Sequence, residues 1–187
     1  MRWTPFLIFA YLFTLAQTTL GHILMLDRLT IGPVGPDFIV LLAVFIAMYV
    51  RTAVDGMLAG WVLGTLIDLT TGGGAGTETR VGPMAVFFTL AVWLAFQVRE
   101  AIYRERALPQ MLLAGLFCLL THTLWVGTQM LLAPQHVFWG GFSRLLMQVL
   151  LSAIYTGLLM PLVHFFLVPC RNWLLSAPPS RSHRARR

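Results

Sequence analysis

Gly56-Met57-Leu58-Ala59-Gly60-Trp61-Val62-Leu63-Gly64-Thr65-Leu66-Ile67-Asp68 is the stretch on which the fold turns. Glycine returns at every fourth residue, and Asp68 continues the spacing. Residues four apart share one face of an α-helix, drifting about 40° per step because the helix repeats every 3.6 residues. The stretch therefore reads as a helix with a bare, groove-like face that ends in an acid. A second helix can approach such a face closely and gain van der Waals contact, which is how helices associate in lipid. Two readings stand for Gly56, Gly60 and Gly64: packing within this chain, or docking of a partner helix.

The surrounding composition agrees with a membrane setting. The 187 residues are 58% hydrophobic and 11% charged, with a mean hydropathy of +0.78. A soluble domain is about a quarter charged, and so little charge cannot cover a water-facing surface. The length holds about six spans of roughly 20 residues and leaves no room for a separate soluble domain. The expectation is an all-α integral membrane protein with six transmembrane helices in one domain over residues 1–175. The apolar runs are 5–26, 36–50, 56–71, 82–98, 109–132 and 145–168. The first reads as a retained span, because only Arg2 precedes it and no A-x-A site closes it. Runs two and three are short, about 23 Å each against a hydrocarbon core of about 30 Å. They recruit flanking residues or form a tight hairpin. Pro161 marks a kink in the last run. Trp139, in the loop Pro134 to Gly141, suits a membrane rim. Residues 176–187 form a basic tail, expected to be disordered and cytoplasmic.

Charge fixes the expected orientation. With six spans and the N-terminus inside, the outer side keeps only Arg28, Arg80 and Arg144 of the 13 basic residues, all of them arginine. This satisfies the positive-inside rule with both termini in the cytoplasm. The formal charge of +6 does not make nucleic acid the partner. Arg171, Arg181, Arg184, Arg186 and Arg187 crowd the end of the chain, where anionic lipid headgroups are the simpler counterpart.

The chemistry-bearing residues are few. Asp68, near the outer end of its span, is a candidate for anchoring the following Gly72–Gly76 loop, for partner contact or for ligand chemistry. Asp37, after Pro36 at the start of run two, lies at the positive end of a helix dipole. It shares the outer side with Asp68, and paired carboxylates can do acid–base work, but no nucleophile or cation-ligand set accompanies them. His22, His122 and His164 fall in runs one, five and six, at no metal-ligand spacing, and read as interhelical hydrogen-bond partners. Cys118 and Cys170 make no disulfide framework. Ser143 lacks a nucleophile-elbow setting, and no nucleotide fingerprint is present. No catalytic, metal or cofactor site is expected.

Pro36-Asp37 opening a helix, the G-x-x-x-G-x-x-x-G-x-x-x-D run ending at Asp68-Leu69, the Gly-rich loop, a fourth apolar helix and the charged segment Arg99–Arg106 together resemble the rod shape-determining protein MreD family. The likeness is best from about Pro36 to Arg106. It implies a non-enzymatic scaffold of the bacterial cell-elongation and peptidoglycan machinery in the inner membrane. The implied partner is an MreC-like single-span protein, with the MreB filament and cell-wall synthases working alongside. The resemblance also implies a fold similar to the six-helix substrate-binding subunits of energy-coupling-factor transporters, and so an alternative: a small-solute-binding subunit. The A-x-x-x-A docking motif of those subunits is not matched, since Ala10 and Ala16 stand six apart.

Overall fold

The computed structural model describes residues 1–28, 32–71, 82–99, 107–132 and 139–174. The Gly72–Gly76 run, the charged stretch 100–106, residues 133–138 and the basic tail lie outside the described residues. The elements are α1 (Trp3–Ile23), β1 (Leu26–Arg28), β2 (Gly32–Val34), α2 (Phe38–Tyr49), α3 (Ala53–Thr71), α4 (Pro83–Val98), α5 (Ala107–Leu132), α6 (Trp139–Leu167) and the single turn α7 (Arg171–Leu174). Helices α1, α3, α5 and α6 are long and apolar enough to cross a membrane, while α2 and α4 are shorter apolar helices. The protein is a helical, membrane-embedded bundle.

Several boundaries differ from those read in the sequence, for local reasons. Helix α3 starts at Ala53, before the first glycine, because the Thr52 hydroxyl accepts the Asp55 N–H at 3.2 Å and caps the helix. Its 19 residues reach about 28 Å, so it is not a short span. Helix α6 begins at Trp139 and takes in Gly140 and Gly141, so the loop expected from Pro134 to Gly141 ends sooner. Between α1 and α2 lies an antiparallel ribbon, the one departure from an all-α chain among the described residues. It pairs Leu26 with Val34, Asp27 with Pro33 and Arg28 with Gly32. Gly32 enters β2 at φ +95°, a conformation that side chains disfavour.

Helix α2 is the axis of the bundle. Residues Phe38 to Met48 are buried without a break, and α2 packs on α1, α3, α4, α5 and α6. A helix apolar all round belongs in such a place. Its C-terminal end lies with the chain's N-terminus. There Tyr49 Oη is hydrogen-bonded to His164 Nε2 at 2.8 Å, Arg99 donates to the Val50 carbonyl, and the Arg2 N–H donates to the Leu174 carbonyl at 3.3 Å. From this end α2 runs only 12 residues, about 18 Å. A span needs about 30 Å. Its N-terminus therefore stops inside the bundle, and the chain reaches it from the far end through Val34 and Pro36, both buried.

Candidate functional site

An interior helix start is a costly arrangement in lipid, because the first N–H groups have no intrahelical partner and no water to meet. In this chain each of them is satisfied. Asp37 is the N-cap of α2, and its Oδ1 accepts the N–H of Ile39 at 3.0 Å and of Val40 at 3.1 Å. Gln17, from α1, accepts the Phe38 N–H on Oε1 at 2.7 Å and donates from Nε2 to the Pro36 carbonyl at 3.4 Å. The Asp37 N–H donates to the Thr156 hydroxyl of α6 at 3.0 Å. Pro36, which is buried, brings no N–H donor into the approach.

The second carboxylate oxygen of Asp37 faces α5, with Oδ2 lying 3.4 Å from His122 Nε2. The other ring nitrogen, Nδ1, meets the Cys118 carbonyl at 3.0 Å and lies 3.6 Å from the Cys118 thiol. Residues from α1, α2, α5 and α6 thus converge on one point. Thr156 lies seventeen residues into α6, about 25 Å along its axis. The cluster is therefore deep in the bundle. Asp37 and Asp68, the two carboxylates that the sequence suggests as a pair, have separate partners.

Asp68 closes a different joint. Pro83, at the first position of α4, has no N–H, and Gly82, its N-cap at φ +132°, has no side chain. Asp68 supplies the missing acceptor from the end of α3. Its Oδ2 accepts the Gly82 N–H at 2.8 Å and its Oδ1 accepts the Met84 N–H at 3.4 Å. A carboxylate at the positive end of α4 is also favoured by the helix dipole.

The glycine face lies against α4. A Cβ on Gly64 would stand 2.5 Å from Ala85 Cα and from the Met84 carbonyl oxygen; on Gly60, 3.0 Å from the Phe88 carbonyl oxygen and from Val92 Cγ2; on Gly56, 3.1 Å from Val50 Cγ1 and 3.3 Å from Val92 Cγ1. The seam tightens toward Asp68, so the glycines and the acid work on one helix pair. A foreign helix has no access to this face while α4 occupies it.

The remaining sequence candidates sort simply. His164 joins Tyr49 and, at 3.4 Å, Gln110 of α5 at the terminal end of the bundle. The His22 side chain lies outside the described residues. Ser143 and His164 sit on the same helix, about 31 Å apart along its axis. Among the described residues no three His, Cys, Asp or Glu side chains gather as a metal would require. Gln17 and Thr156 are functional contacts beyond the residues that the sequence motifs mark. An isolated Gln in an apolar run is a signal that marks the first of them; Thr156 carries none. Comparison with protein-family models, curated proteins and solved structures returns no match to this chain.

Proposed function

We propose that the protein is a non-enzymatic scaffold of the MreD type in the bacterial inner membrane, acting in cell elongation and peptidoglycan synthesis. It crosses the membrane six times, with both termini in the cytoplasm. α2 serves as a short inner span completed by its extended approach, and α4 as a thin outer one. Its partner is an MreC-like single-span protein, with MreB and the cell-wall synthases engaged through the assembly.

The observation that carries the reading is the occupied centre. A solute-binding subunit needs a chamber among its helices, and here α2 fills that position with Phe38 to Met48 buried in succession. The polar groups at its N-terminus are spent on one another and on backbone, as in a structural joint. The resemblance from Pro36 to Arg106 supplies the direction. The test is purification from native membranes in mild detergent. An MreC-like protein is expected to accompany the chain. Recovery of the chain alone, stabilised in a thermal-shift screen by a vitamin or another small solute, would favour the transporter-subunit alternative instead.

A further inference from the structure

We infer that the side-chain cluster at the start of α2 is a proton-binding site. Asp37 and His122 together hold one proton more than an ionised carboxylate and a neutral imidazole would, and the contact between α2 and α5 at this point depends on it. The inference does not rest on the scaffold reading; it adds a ligand, the proton, to a structural joint.

A neutral imidazole has one N–H donor and one bare nitrogen that accepts. The surroundings of His122 leave no place for the bare nitrogen. Nδ1 lies 3.0 Å from the Cys118 carbonyl oxygen, one turn earlier in α5, and a carbonyl oxygen only accepts. The Thr121 hydroxyl and the Cys118 thiol stand farther from Nδ1, at 3.4 and 3.6 Å. The hydroxyl has closer acceptors in the Phe117 and Cys118 carbonyls, at 3.0 and 3.2 Å, and a thiol is a weak donor. The hydrogen of a neutral ring therefore belongs on Nδ1. Nε2 is then left facing Asp37 Oδ2 at 3.4 Å. With the carboxylate ionised, a lone pair would point at a negative oxygen, where the two side chains are only 25% and 11% exposed. Poor solvation makes such a contact costly.

One added proton turns the contact attractive. On Nε2 it gives an imidazolium against a carboxylate; on Oδ2 it gives a carboxylic acid that donates to Nε2. The two forms hold the same number of protons, and the proton belongs to the pair. Cys118 is the further titratable side chain that faces the ring from α5. Gln17 and Thr156, which meet the cluster from α1 and α6, are uncharged. Asp37 Oδ1 is committed to the N–H groups of Ile39 and Val40, so one carboxylate both caps α2 and faces the proton. Release of the proton to water would set α5 against the start of α2 and leave the cap in place. The site thereby ties helix packing to pH.

The test reads the proton in the full chain, labelled with nitrogen-15 histidine, in lipid nanodiscs at about pH 7.5, above the midpoint of about 6.5 at which a free imidazole becomes neutral. The expected nuclear magnetic resonance spectrum has one ring with hydrogen on both nitrogens, and this signature is lost in His122→Gln and in Asp37→Asn. The equivalent form is a neutral ring with hydrogen on Nδ1 beside a protonated carboxyl, seen in the infrared and lost in Asp37→Asn. A neutral His122 ring beside an ionised carboxylate, in either tautomer, would overturn the proposal. Proton linkage gives a second reading. The folded chain binds one proton more than the unfolded chain, so stability falls as pH rises. Relative to His122→Gln, the folding constant of the native sequence should drop by up to about ten-fold per unit between about pH 7 and 8. Parallel pH profiles for the two chains would overturn the site too, whether or not an MreC-like protein copurifies.

Discussion

At Gly64 an added methyl group would meet backbone atoms, Ala85 Cα and the Met84 carbonyl, at 2.5 Å. Backbone cannot rotate aside, so the helices must separate. At Gly56 the neighbours are valine methyls at 3.1 and 3.3 Å, which can give. Alanine substitutions should therefore destabilise in the order Gly64, Gly60, Gly56, with about 1–3 kcal/mol at Gly64. Gly127→Ala, where nothing lies within 4 Å, should be neutral or gain about 0.5–1 kcal/mol from helix propensity. Unfolding in mixed micelles titrated with dodecyl sulfate measures the series; equal losses at Gly64 and Gly127 would contradict the seam. Asp68→Ala should cost about 1 kcal/mol by exposing the N-terminus of α4, and Asp68→Asn much less, because the amide oxygen still accepts. The four-residue spacing of these glycines and Asp68 was legible in the sequence. Which helix they meet was not, because a bare face specifies close approach and leaves the partner open.

At the scale of the element, α2 is the unusual member. Its apolar run was plain from the sequence, and so was its shortness. Its depth was not. Pro and Gly around Val34 read equally well as an outer loop, and only Gln17, His122 and Thr156, remote in the chain, carry the segment inward. The joint they form is a shared structure, and its members should be coupled. Asp37→Ala removes the acceptor for two buried N–H groups and the carboxylate partner of His122 Nε2, a loss of about 2 kcal/mol or more. Gln17→Leu orphans the Phe38 N–H, at about 1–3 kcal/mol. The double variant should fall short of or exceed the sum by about 0.5–3 kcal/mol, as neighbouring groups do. Strict additivity in the same unfolding assay would show that the two side chains support α2 independently.

The whole molecule raises the questions of orientation and company. Its helical, membrane-embedded character was legible from composition, because 11% charge cannot solvate 187 residues. Orientation is argued from arginine placement alone, and the two native cysteines can check it. Cys118 is buried, and Cys170 is partly exposed just after α6. A membrane-impermeant maleimide should label Cys170 in inverted inner-membrane vesicles and not in intact spheroplasts; the reverse would place the C-terminus outside. The exposed apolar surface of the bundle, with α4 covering the glycine face, leaves partners to the outer sides of the helices. Purification of the tagged full chain from its native membranes, with every co-isolated protein identified and quantified, tests the central claim most directly. A stable complex with an MreC-like single-span protein is the expected result. A monodisperse chain recovered alone from membranes that contain such a protein would contradict it.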